Sequence, residues 1–168
     1  MAASCIIDWF SKDNEILINP RTPEEEKETL IHGLQTLEHM EGHLWIATSG
    51  SSGKIKWTAL SKEAVMSSAN AVNRHIQANQ NDIWINALPS FHVGGQGILC
   101  RAYLSHSKVI SYEGRWNPCQ FVYACATAKA TLTSLVPTQV YDIVAHSLKA
   151  PPSLRAVIVG GGALSSDI

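Results

Sequence analysis

The chain has 168 residues, 45% of them hydrophobic and 16% charged, with a formal net charge of −1 at pH 7. That length supports one domain with a sizeable core, and the balanced charge excludes the global basic field expected of a nucleic-acid binder. No apolar run approaches the ~20 residues that span a bilayer, and the opening "MAASCIIDWFSKD" lacks the basic and long apolar regions of a secretory leader.

In chain order, residues 1–21 are weakly periodic, with a strand expected at Glu15–Ile18. Thr22-Pro23-Glu24-Glu25 is a helix start, with Thr22 as cap, Pro23 in the first helical position and Glu25 closing a capping box. Leu30, Leu34 and Leu37 continue it at helical spacing. His43–Thr48 predicts a strand that runs into a loop of small residues. Ser61 and Glu63 open a helix whose apolar stripe is Val65, Ala69, Val72 and Ile76. Asp82–Leu88 predicts a strand ended by Pro89, Gly97–Leu104 a helix, and Lys108–Tyr112 a short strand. Asn117-Pro118 opens a helix reaching about Ala128. Thr131–Val136 predicts a strand, Thr138–Ser147 a helix, and Arg155–Val159 a last strand after the Pro151-Pro152 linker. Alternating strands and helices predict an α/β fold with a mostly parallel sheet flanked by helices. Ligands in such folds sit at the carboxyl ends of strands, which draws attention to Thr48–Lys56, Pro89–Gln96 and Gly160–Ala163. The four cysteines, Cys5, Cys100, Cys119 and Cys125, form no CxxC pair and no Cys/His cluster. The expectation is therefore a cytoplasmic protein with reduced thiols and no metal site of its own.

"TSGSSGK" (48–54) gives up side-chain bulk where a strand ends. Gly50 and Gly53 permit backbone angles closed to other residues, and successive N–H groups with Ser/Thr hydroxyls form a nest for an anion. Lys54 and Lys56 supply neutralising charge, so a polyphosphate is the natural guest. A Walker A loop is excluded, because Gly50 and Gly53 are too close and no Ser/Thr follows the lysine. A flexible hairpin or linker would use the same text. "VIVGGGAL" invites a dinucleotide reading, but Ser165 occupies its third glycine position.

Four segments together carry a resemblance. "TSGSSGKIK" (48–56), "LPSFHVGGQG" (88–97), "TSLVPTQVYDIV" (133–144) and "LRAVIVGGGAL" (154–164) resemble, in order and separation, signature segments of the adenylate-forming acyl-CoA synthetase and ligase superfamily. The run "FHVGGQGILCRAYL", followed by "SLVPTQ" and "GGGAL", is most similar to the 2-succinylbenzoate–CoA ligases of menaquinone synthesis. The likeness covers about residues 43–168, an AMP-binding core following an N-terminal segment and helix at 1–42.

The resemblance implies a two-step activation of a carboxylic acid, through an acyl-AMP and then a coenzyme A thioester, with ATP, Mg2+ and coenzyme A as substrates or cofactors and an aryl carboxylic acid as small-molecule partner. It places Thr48, Ser49, Gly50, Ser51, Ser52 and Gly53 around the β and γ phosphates, with Lys56 as the motif's final lysine. Ile55 stands where the family has proline, which leaves the loop's exit less rigid. His92 matches the signature histidine near the acyl–phosphate junction. Gly160, Gly161, Gly162 and Ala163 match the strand-end glycines of the adenine and acyl pocket. Gln96 and Arg101 are candidates for the acid's carboxylates, because a guanidinium offers a bidentate fork. Each has a plainer alternative: His92 as a core histidine, Arg101 and Gln96 as ordinary helix residues, the glycines as a tight turn. The family's magnesium-holding glutamate, ribose-binding aspartate and catalytic lysine have no counterpart in the 168 residues. The chain therefore reads as a portion of such an enzyme, without complete turnover alone. The alternative is a non-catalytic piece that binds nucleotide or forms a homo-oligomer through an exposed apolar patch.

Overall fold

The computed structural model describes residues 7–34, 40–49 and 55–165. Strand β1 (Glu15–Leu17) is followed by helix α1 (Glu24–Leu34) and then by β2 (His43–Ser49), which lies parallel to β1. The next element is a strand absent from the sequence-based expectation: β3 (Ile55–Ser61) pairs antiparallel with β2, from His43↔Ser61 to Ser49↔Ile55. "IKWTALS" does alternate in polarity, but Ile55, flanked by Lys54 and Lys56, reads as the exit of a loop. The small-residue run therefore joins the two arms of a hairpin in a mixed sheet of order β1-β2-β3.

Helix α2 (Lys62–His75) starts where its cap predicts, with the Ser61 hydroxyl accepting from Ala64 N at 3.1 Å. Then come β4 (Ile83–Asn86), α3 (Val93–Ser105), β5 (Lys108–Ser111), α4 (Pro118–Ala128), β6 (Leu132–Leu135), α5 (Pro137–Ala145) and β7 (Ala156–Val159). Asn117 caps α4 through Gln120 N at 3.0 Å. These four strands form a wholly parallel sheet of order β5-β4-β6-β7.

Alternation along the strands sorts side chains between two faces. Trp84 and Leu132 point to one face, against Ile98 and Ala102 of α3. Ile85 and Leu135 point to the other, against Phe121 and Cys125 of α4 with Val140 and Ile143 of α5. A third cluster joins Leu17, Leu44 and Ile46 of the mixed sheet to Ala69 of α2 and Cys100 of α3, and takes in Ile7 and Trp9. Helices α2 and α3 thus lie between the two sheets. That explains why "GILCRAYL" is apolar on two sides: Ile98 and Ala102 serve one sheet, Cys100 and Leu104 the other. No described helix is long and apolar enough to cross a membrane.

The amino ends of β4, β6 and β7 are tied by one polar cluster. Asp82, 4% exposed, accepts from Arg155 Nε at 3.0 Å and Nη2 at 2.7 Å, from the Thr131 hydroxyl at 2.7 Å, and from Asn79 N at 2.9 Å. The Arg155 Nη1 also donates to the Ile76 carbonyl at 2.6 Å, which fixes the end of α2 to the sheet.

The thiols of Cys100, Cys119 and Cys125 differ sharply in burial. Burial pushes Cys100 up to about 12 and Cys125 up to about 11, whereas Cys119 is exposed. Thiolate is the reacting form, so in the native chain Cys119 should react with a disulfide reagent at pH 8 while Cys100 and Cys125 wait for unfolding. Counting rapidly released chromophore should show one equivalent lost in Cys119→Ser; an undiminished rapid phase would contradict the exposure of Cys119.

Candidate functional site

The order β5-β4-β6-β7 contains a reversal. From β4 the chain crosses through α3 to β5 on one side, then returns through α4 to β6 on the other. The connections leave β4 and β6 in opposite directions, so a crevice opens between their carboxyl ends, which is where open α/β sheets bind ligands. A cavity of about 380 Å³ lies there, within the usual ~300–1,000 Å³ of small-molecule sites. After β4 it is walled by Leu88, Pro89 and His92, at the end of β6 by Ser134, Leu135 and Val136, and after β7 by Gly160 and Gly161. Arg101 reaches it from α3.

The mouth is shaped by a close backbone contact. A Cβ on Gly95 would stand 2.2 Å from the Pro89 carbonyl oxygen and 3.0 Å from that of Leu88. Glycine here lets the first turn of α3 press against the strand-end turn. This accounts for a helix starting at Val93, four residues before the expected Gly97: packing at Gly94 and Gly95 outweighs their poor helix propensity. His92 is the N-cap residue with extended backbone (φ −112°, ψ 151°), its N–H bonded to the Pro89 carbonyl at 3.1 Å. Its ring is exposed and 4.7 Å from that of Phe91, so it is not a core histidine.

Arg101 is the charged group on the cavity wall. Its Nη1 donates to the Ser134 hydroxyl at 3.0 Å, and its Cζ lies 5.9 Å from the centroid of the buried Trp84 ring, within cation–π range. Gly97 makes room for it, since a Cβ there would come within 3.4 Å of Nη2. Burial draws the guanidinium's pKa down from its ordinary value, yet it stays a cation at neutral pH. Its Nε has no hydrogen-bond partner among the described residues. A cation held by one hydroxyl and one ring retains donors for a carboxylate.

The cavity brings together His92, Arg101, Gly160 and Gly161. Gly161 has φ +80°, in the left-handed region that favours glycine, and Gly160 N donates to the Leu135 carbonyl at 3.1 Å. Gly162 packs at the α5 start, where its Cβ would meet the Pro137 ring at 3.4 Å, and Ala163 is exposed; neither is on this cavity's wall. Gln96 is also off that wall: it is 2% exposed and its amide donates to the Ser90 carbonyl, bracing the turn beneath His92. Thr48, Ser49 and Lys56 fall on the β2–β3 hairpin, with Lys56 opposite Thr48. Gly50, Ser51, Ser52 and Gly53 lie outside the described residues. Ser134 and Trp84 were not singled out as site residues from the sequence. Ser134 was findable as the polar side chain near the carboxyl end of a predicted strand; the Arg101–Ser134 bond spans 33 positions and has no local signal.

A switch-point crevice lined by a half-buried cation and a left-handed glycine turn defines an α/β domain with a small-molecule-sized cavity at its strand ends. The model of the AMP-binding enzyme family matches residues 11–168, and the chain belongs to that family. It is 33% identical over 121 residues to the 2-succinylbenzoate–CoA ligase of Escherichia coli K12 and 31% identical over 121 residues to that of Salmonella typhimurium. Each alignment covers 72% of this chain and 25% of the relative, so the chain spans about a quarter of the length of those relatives. The fold matches unliganded O-succinylbenzoate coenzyme A synthetase of Bacillus subtilis (TM-score 0.73, 16% identity, 92% of this chain and 41% of that one). It also matches wild-type E. coli MenE bound to a phenylether-linked analogue of OSB-AMS (TM-score 0.69, 24% identity, 91% and 39%).

Proposed function

We propose that this chain provides the acid- and phosphate-binding part of an ATP-dependent acid–thiol ligase whose acid is 2-succinylbenzoate. The observation that carries this is the meeting of Arg101, His92 and the Gly160-Gly161 turn in one strand-end cavity. In the reaction a carboxylate oxygen bonds to the α-phosphorus of ATP as the bond to pyrophosphate breaks, and coenzyme A thiol later displaces AMP. The protein's task is positioning and charge stabilisation. Arg101, steadied by Ser134, holds a carboxylate of the acid away from the reacting end. His92 stands at the mouth, where the acyl–phosphate junction forms. The left-handed turn at Gly161 lets main chain approach the adenylate without a Cβ in the way. The Thr48–Gly53 run, which begins in β2, supplies main-chain amides for the β and γ phosphates, with Lys56 after it in sequence.

Among the described residues no group of three His, Cys, Asp or Glu side chains is arranged to hold a metal ion, so no step is assigned to Mg2+ here. The cytoplasm, where ATP and coenzyme A are available, is the matching compartment.

Calorimetry on the chain tests the phosphate loop. Lys56→Ala should weaken ATP binding by about tenfold, the loss of one charge-assisted contact of roughly 1.5 kcal/mol. An affinity equal to that of the unaltered chain would remove the loop from the function.

A further inference from the structure

We propose that Gln96 is a positioning residue: it sets where His92 stands at the cavity mouth, while staying off the cavity wall itself. This rests on the acid-activating function proposed above and adds to it what holds the histidine in place. His92 has little of its own to fix it. Its ring is exposed and makes no cap bond to α3, and its aromatic neighbour is Phe91, with ring centroids 4.7 Å apart. A side chain held so lightly takes its place from its main chain. In the turn from Pro89 to His92, the His92 N–H donates to the Pro89 carbonyl at 3.1 Å, the Gln96 N–H donates to the His92 carbonyl at 3.0 Å, and the Gln96 side-chain amide donates to the Ser90 carbonyl. Gln96 thus supplies two of these three bonds, one from its main chain and one from its side chain.

Stability alone does not call for glutamine here. The residue is 2% exposed, and its Oε1 has no hydrogen-bond partner among the described residues. An acceptor buried without a partner costs free energy that an apolar side chain of similar size would not. What glutamine supplies and leucine cannot is the N–H aimed at Ser90. Gly95 sets how closely α3 approaches Pro89. Gln96 holds the next peptide group, between Ser90 and Phe91, and through it the direction in which His92 leaves the turn.

The test combines proton NMR of the histidines with calorimetric titration of the whole chain. The His92 ring resonance is identified by its loss in His92→Ala. In Gln96→Leu that resonance should shift by more than its linewidth, as the imidazole moves relative to the ring current of Phe91, while that of His75 on α2 stays in place. Affinity for the sulfamate-linked analogue of 2-succinylbenzoyl-AMP should fall about three- to tenfold, the scale of one hydrogen bond. In the His92→Ala chain the same substitution should cost nothing further, whereas an effect through another part of the wall would add. A urea midpoint near that of the unaltered chain confirms folding; Gln96→Met, which keeps the length and lacks the donor, serves if Gln96→Leu does not fold. An unmoved His92 resonance, or an affinity loss of equal size with and without His92, overturns the positioning role. Failure of the unaltered chain to bind the analogue counts instead against the proposed function, and leaves the NMR shift to decide whether Gln96 places His92.

Discussion

Gly95→Ala should lose about 3 kcal/mol of stability or more, the upper end of the range for overpacking a closed interior. The added methyl would stand 2.2 Å from the Pro89 carbonyl oxygen and 2.8 Å from its carbon. Both are main-chain atoms, so no rotamer change relieves the contact; α3 must move away from the β4 exit. That movement displaces His92 and opens the cavity wall at Leu88 and Pro89, so stability and the proposed acid binding fall together. Two other glycines calibrate the result in urea unfolding. At Gly94 the nearest atom is the Leu88 Cδ1 at 3.0 Å, the end of a flexible side chain, and Gly94→Ala should cost far less. At Gly33, exposed on α1 with nothing within 4 Å, alanine should be neutral or gain up to about 1 kcal/mol from helix propensity. A Gly95→Ala midpoint close to that of Gly94→Ala would show that α3 does not press on the turn.

Arg155→Ala should cost about 2–3 kcal/mol near neutral pH, less than a fully buried pair because the Arg155 side chain is 38% exposed. Its partner Asp82 is 5% exposed in its side chain and would keep only the Thr131 hydroxyl and Asn79 N–H. The effect has a definite pH sign. Burial pushes the Asp82 carboxyl upward, but bonds from Arg155, Thr131 and Asn79 together with the Arg155 charge outweigh it, and its pKa lies below the ordinary 3.8. A depressed carboxylate pKa contributes stability that is complete above the unfolded-state value and is lost as pH falls through the folded one. The difference between the unaltered chain and Arg155→Ala should therefore be largest above pH 5 and shrink as pH falls below about 4. Unfolding curves with the same gap at both ends would remove the ionic part of the cluster.

The legible parts of this molecule were those written in neighbouring residues. Ser61 capping Ala64 N and Asn117 capping Gln120 N fixed two helix starts from the text alone, because a cap is a bond within three positions. Strand β3 was obscured because Lys56, following Lys54, suited a phosphate loop as well as a strand surface, and only its register against β2 chooses. Helix α3 began earlier than propensity allows, because the contact that requires Gly95 comes from Pro89 packed across it. Arg101 and His92 could be named from their types and motif; Gln96 was named with them, but burial turned its amide to the Ser90 carbonyl.

By itself the sequence determined the alternation of helices and strands from α2 onward, the glycine positions and the family to which they belong, since each is a matter of local spacing or of residue identity in order. Only the tertiary structure decided that β4 and β6 lie side by side with their carboxyl ends open, that Arg101 meets Ser134 across 33 positions, and that α3 is gripped between two sheets. The reason is physical: strand order and side-chain meetings are set by which apolar faces close on one another, and that closure involves residues far apart in the chain.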